Sequence, residues 1–176
     1  MGEALSKGSP LYWIIGPWAG RLAISARPRG GDWLEDEVKG WSTAGVNVVA
    51  SLLTPEEEES LSLKEEMNAC LKNGIEFRSF PILDRGVPRS YGEALRFIQG
   101  LQKDLVQGKT VALHCRQSLG RSALIAGALL VLGGVDPEDA IRRLSAARTC
   151  PVPETVEQSE WIGSLARESE RAHAHQ

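Results

Sequence analysis

The segment His114-Cys115-Arg116-Gln117-Ser118-Leu119-Gly120-Arg121-Ser122 places a thiol, a guanidinium six positions later and a hydroxyl next to it. An apolar run, Thr110-Val111-Ala112-Leu113, leads in and reads as a buried strand. Ser122-Ala123-Leu124-Ile125-Ala126 leads out and reads as a helix packed on all sides. A tight loop between a strand and a helix N-terminus is an anion cradle, because its backbone N–H groups and the helix dipole both favour negative charge. Cys115 opens the loop, a setting that favours a thiolate, and a thiolate there can attack phosphorus. Arg121 closes it, and a planar fork can grip two phosphate oxygens as charge spreads in the transition state. Gly120 lets the backbone turn and approach the ligand. Ser122 can stabilise the leaving thiolate, and His114 can orient the loop through hydrogen bonds. Arg116, Gln117, Ser118, Leu119, Gly120 and Arg121 form the phosphate-binding stretch. The bland alternative, a buried inert cysteine, accounts for neither Arg121 nor Gly120.

These residues need a sheet edge to stand on, and the composition allows one. The 176 residues suffice for a single domain spanning 1–176 with a real core, its ends (about 1–8 and 168–176) being flexible. A net charge of −3 gives no case for nucleic-acid affinity. Cys70, Cys115 and Cys150 are too few and too scattered for a disulfide framework. A working thiolate needs a reducing compartment, and residues 1–8 lack the apolar run of a signal peptide, so the expected location is cytoplasmic. Gly2 with Ser6 fits a myristoylation pattern only loosely. No apolar stretch is long enough to span a membrane, and no stable membrane association is expected.

Taken in order, Leu11-Tyr12-Trp13-Ile14-Ile15 and Leu22-Ala23-Ile24-Ser25 read as strands, followed by an Arg27-to-Gly31 loop. Asp32, with Glu35 three places on, reads as a helix cap, and Trp33, Leu34, Val38 and Trp41 as that helix's apolar face. Val46 to Leu53 reads as a strand of a parallel sheet. Thr54-Pro55-Glu56-Glu57 starts a helix expected to run to Leu71, its acidic first turn solvated. Ile75 to Phe80 alternates like a strand, and a helix capped at Ser90 follows the loop Pro81 to Pro88. Gly108-Lys109-Thr110 is not a nucleotide loop, since Lys103 stands where its earlier glycine belongs. Two further helices start at Asp136-Pro137 and near Val156. Strands alternating with helices imply one α/β domain, a central mostly parallel sheet flanked by helices.

The stretch from His114 to Ser122 resembles the signature of cysteine-dependent protein tyrosine phosphatases, most of all their small dual-specificity branch. The resemblance extends over most of the chain, from about Tyr12 to Leu165. It departs from many members at Ser118, where they carry a second glycine. It implies a general acid in the loop before the Ser90 helix, which Asp84 matches, and the chemistry requires one to protonate the departing oxygen. It implies that Gln158 positions the water of the second step. The implied activity is hydrolysis of phosphotyrosine, with phosphoserine and phosphothreonine also admitted, on phosphorylated protein substrates. No metal or other cofactor is required, because the loop and Arg121 supply the electrostatics. Two alternatives share part of this reading: a phosphatase of phosphoinositides or other small phosphomonoesters, and a phosphate-binding module weakened by Ser118.

Overall fold

The computed structural model describes residues 8–117 and 119–175. Strands β1 (Leu11–Ile14), β2 (Arg21–Ser25), β3 (Val48–Ser51), β4 (Glu76–Ser79) and β5 (Thr110–His114) form a sheet in the order β1-β2-β5-β3-β4. β1 pairs antiparallel with β2, and every other pairing is parallel, as the alternation of elements implied. Both faces are covered. Val111 and Leu113 of β5 enter one core, with helices α4 (Tyr91–Val106), α5 (Arg121–Leu132), α6 (Pro137–Arg148) and α7 (Val156–Ala174). Ala112 enters the other, with α1 (Leu34–Thr43) and α3 (Glu66–Lys72). Burial on both faces explains why β3 and β5 read as nearly unbroken apolar runs.

β5 lies between β2 and β3, and His114 at its end is level with Ser25 and Ser51. Cys115 therefore leaves the sheet at the carboxyl ends of its central strands, where open α/β sheets bind ligands. α5 is buried from Arg121 to Val131, packed against α4, α6, α7 and the sheet. An all-round apolar helix at the centre of a layer holds the end of the loop rigidly.

Two local readings change. No single helix runs from Pro55 to Leu71: α2 (Pro55–Ser60) ends, and α3 begins at Glu66. Ser62 takes a left-handed φ of 57°, and Leu63 is buried in the second core. Burying Leu63 turns the chain off the helical path that periodicity alone would continue. Asp32 does not cap α1; Gly31–Trp33 is a 3₁₀ turn, Trp33 occupies the cap position without a side-chain bond, and its ring is exposed. Leu34, Val38 and Trp41 do form the buried face. α7 continues past Arg167 to Ala174, with His173 and His175 each against a carbonyl one turn back on its own helix. Among the described residues, no helix is long and apolar enough to cross a membrane. Gly2, Ser6 and Ser118 lie outside the described residues.

Candidate active site

Cys115 follows β5, Arg121 begins α5, and both line a pocket of about 380 Å³. Its other lining residues are Asp84, Arg85, Arg116, Gln117, Leu119, Gly120 and Glu154. Cys115 is 3% exposed, while Asp84, Arg85, Arg116 and Gln117 stand exposed at the rim. Among the described residues, no side chain caps the N-terminus of α5, and a helix start of this kind offers its first N–H groups to an anion.

Arg121 is 1% exposed and held from three directions. Its Nη1 and Nη2 donate to the two carboxylate oxygens of Glu57 at 2.7 and 2.9 Å. Nη1 also donates to the carbonyls of Ile82, at 2.9 Å, and Leu52, at 3.4 Å. Nη2 reaches Asp84 Oδ1 at 3.3 Å. None of these bonds uses Nε–H, which is left for a ligand oxygen. Burial works against the guanidinium charge, but the bonds to Glu57 and the charges of Cys115, Glu57 and Asp84 hold Arg121 protonated above its ordinary range. Burial likewise tends to raise Glu57. The hydrogen bonds from Arg121 and then Thr54 outweigh it and hold that carboxyl below its ordinary value.

Glu57 is therefore not part of a solvated acidic turn. It makes two attachments: its carboxylate accepts from the Thr54 N–H at 2.9 Å, closing a capping box, and clamps Arg121. The capping box is legible from Thr54 and Glu57, whereas the clamp spans 64 residues of sequence and is not.

His114 is buried, as is its partner Glu66 on α3, and His114 Nε2 lies 2.5 Å from Glu66 Oε1. Its Nδ1 is 3.3 Å from the Cys115 carbonyl, and its ring stacks on Trp41 at 5.9 Å. The ring is thus oriented at both nitrogens. Glu66 has no distinguishing signal in the sequence beyond being one of two adjacent glutamates. Ser122 is fully buried, and its Oγ has no hydrogen-bond partner among the described residues.

The loop carrying Asp84 is fastened at two points. Its turn closes through Gly86 N–H to the Leu83 carbonyl at 2.8 Å, with Arg85 at a left-handed φ of 61°. Arg85 pairs with Glu154 at 2.7 Å, and Gln158 Nε2 donates to the Gly86 carbonyl at 3.0 Å. Asp84 itself remains 58% exposed at the side chain.

Gln158 is neither an exposed helical residue nor part of the pocket lining. It is buried, its Oε1 accepts from the Thr155 N–H in a capping box, and one N–H of its amide donates to the Gly86 carbonyl. The side chain thus braces backbone through both ends of its amide. It also explains Gly120, whose φ of −115° any residue could adopt. A Cβ at Gly120 would lie 3.0 Å from both amide atoms of Gln158 and 3.2 Å from Glu154 Oε2. Space rather than conformational freedom favours glycine there, since a larger residue would push Gln158 and Glu154 aside.

Arg142 and Arg143 pair with Asp139 on their own helix, away from the pocket. Arg148 lies over the Tyr12 ring and donates to the Gln117 carbonyl at 3.4 Å, so it braces the loop from outside.

The chain has the fold of the protein tyrosine and dual-specificity phosphatases. It is similar over 94% of its length to kinase associated phosphatase, solved with its catalytic cysteine changed to serine (TM-score 0.85, 20% identity, 98% of that chain). It matches Tk-PTP in the active form with a TM-score of 0.72 and 25% identity, over 89% of this chain and 97% of that one. PTPMT1 in complex with PI(5)P aligns with a TM-score of 0.72 and 21% identity, over 91% and 99% of the two chains. In sequence, the chain is 27% identical over 159 residues to protein 197R of Invertebrate iridescent virus 6, which carries the name of a tyrosine phosphatase. That match covers 88% of this chain, which spans about half (56%) of the viral protein's length. No family model matches the chain.

Proposed function

We propose that the protein is a phosphoric monoester hydrolase that removes phosphate from protein side chains, phosphotyrosine foremost, through a phosphocysteine intermediate. The observation that carries this reading is the convergence of Cys115 and Arg121 from one loop, and of Asp84 from another, on one pocket. The Cys115 thiolate attacks phosphorus, an S–P bond forms and the P–O bond to the substrate breaks. Asp84 gives its proton to the departing oxygen. Arg121, oriented by Glu57, presents Nε–H and Nη2–H to the equatorial oxygens, and Asp84 leaves Nη2 as they arrive. Water then attacks phosphorus, Asp84 takes its proton, and the S–P bond breaks. The unpartnered Ser122 hydroxyl donates to the thiolate that leaves. Arg116 and Gln117 at the rim meet the substrate around the phosphate.

The likeness to PTPMT1 bound to PI(5)P supports the alternative of a phosphoinositide substrate. Two carboxylates, Asp84 and Glu154, stand in the lining beside Arg85, Arg116 and Arg121, which suits a singly phosphorylated side chain better than a headgroup bearing several phosphates. The free thiols Cys70, Cys115 and Cys150 fit a cytoplasmic setting. The test is turnover of phosphotyrosine, phosphoserine and phosphothreonine peptides and of PI(5)P side by side, with Cys115→Ser as control. Phosphotyrosine peptides are expected to lead; a far higher kcat/KM for the lipid would overturn the substrate class and leave the catalytic roles standing.

A further inference from the structure

Beside the catalytic pocket lies a second cleft of about 390 Å³, lined by Ala26, Arg27, Arg29, Arg116 and Gln117. It shares Arg116 and Gln117 with the catalytic pocket, so the two clefts lie on either side of one short piece of the phosphate loop. In a chain of net charge −3, three guanidinium groups and, among the described residues, no carboxylate line this cleft. Arg29 is bonded to buried Glu37 and lies 4.5 Å over the Trp33 ring, so its charge is partly neutralised and its position fixed. Among the described residues, the Arg27 side chain approaches the Pro28 carbonyl at 3.5 Å and pairs with no carboxylate. The Arg27 N–H reaches the Arg116 carbonyl at 3.5 Å, which joins the end of β2 to the phosphate loop and sets the two segments side by side.

We infer that this cleft is a second anion subsite, in which Arg27, Arg29 and Arg116 take a carboxylate or phosphate carried near the scissile phosphate on the same peptide. The inference rests on the phosphatase reading and names the substrate it selects. Two clefts divided by the Arg116–Gln117 stretch suit anions several bonds apart, as on nearby residues of an extended chain, where side chains two apart lie roughly 7 Å from each other. Adjacent phosphates on one ring would share a single pocket. The sequence shows Arg27 and Arg29 only as part of a polar loop, since their approach to Arg116 depends on the β2–β5 pairing.

The test uses phosphotyrosine peptides of one frame, carrying Asp, a second phosphate or Ala at each flanking position in turn. A small aryl phosphate and a bisphosphorylated inositol lipid complete the set. Wild type and Arg27→Gln are compared in turnover, and the same peptides are bound to Cys115→Ser with and without Arg27→Gln. Arg29 is left intact because it compensates Glu37. The expected result is a preference of about three- to tenfold in kcat/KM for anionic peptides at one flanking position. Arg27→Gln should remove most of it, and added salt should weaken it, while the aryl phosphate is turned over as before. No preference in wild type, or one that survives Arg27→Gln, overturns the subsite. An Arg27-dependent advantage confined to the inositol lipid overturns the peptide assignment. If no substrate is turned over, the phosphatase reading fails, and the binding comparison still decides the subsite.

Discussion

Arg121 and Glu57 face each other fork to fork, Nη1 to Oε2 at 2.7 Å and Nη2 to Oε1 at 2.9 Å, with the guanidinium 1% exposed. The clamp joins the start of α5 to the start of α2 and fixes the plane in which Arg121 meets a ligand. Because Glu57 holds Arg121 without itself lining the pocket, its removal tests orientation separately from binding.

Glu57→Ala should therefore lower kcat about 10- to 100-fold with a smaller change in KM, the signature of a misplaced transition-state contact. It should also destabilise the fold by roughly 3 kcal/mol, the lower end for breaking a buried pair, since Asp84 and two carbonyls still contact the guanidinium. Steady-state kinetics on an aryl phosphate and urea unfolding measure the two effects. Arg121→Lys, which loses the fork altogether, should fall further in kcat than Glu57→Ala.

The acid limb of stability follows from the same pair. Glu57 and Asp104 are both held below their ordinary values: burial alone would raise them, but Arg121 and Thr54 outweigh it at Glu57, and Arg78 and Lys109 do so at Asp104. A lowered carboxyl contributes stability that is full above its unfolded value and is lost as pH falls through its folded one. Unfolding free energy should thus fall between about pH 5 and about pH 2. Glu57→Gln should flatten that slope, and an unchanged slope would remove Glu57 from the account.

Glu66→Ala should cost more than its distance from the substrate suggests. It strips the buried His114 of its 2.5 Å partner and leaves a polar ring against the core. The expected loss is about 2–3 kcal/mol, with Glu66→Gln intermediate, read from denaturant midpoints. If the loop is oriented through His114, alkylation of Cys115 by iodoacetate should also slow in Glu66→Ala under conditions where the protein remains folded.

What could be seen in the sequence was local. The loop from His114 to Ser122, the strand before it and the helix after it lie within one short stretch, and their periodicity and spacing survive folding. The mostly parallel sheet follows from alternating elements and from the two-sided burial of β3 and β5. The supports of the site were not visible, because each is a contact between distant segments: Glu57 with Arg121, Glu66 with His114, Arg85 with Glu154, and Gln158 with Gly86. Glu57 was hidden by its neighbours, since one carboxylate in an acidic first turn looks like the others. Leu63 turned a continuous helical pattern into two helices because the second core takes its side chain.

Asp84→Asn should separate the acid from the nucleophile. Loss of a proton donor matters most when the departing oxygen is a poor leaving group. Phosphoserine or alkyl phosphate turnover should drop about 10²- to 10³-fold and an activated aryl phosphate much less. Both should lose the alkaline dependence that a required protonated acid produces. Equal losses on both substrates would move the acid role away from Asp84. Glu76 and Asp104 are poorly placed to inherit it, since both pair with Arg78 and neither lines the pocket.

Rapid quenching in acid shows whether phosphate passes through Cys115. Protein mixed with an activated aryl phosphate and quenched within the first turnover should carry one phosphoryl group, which peptide mass spectrometry places on Cys115. Cys115→Ser should carry none and release no phosphate, while still binding the substrate. A phosphoryl group on another residue, or turnover that persists in Cys115→Ser, would contradict the account.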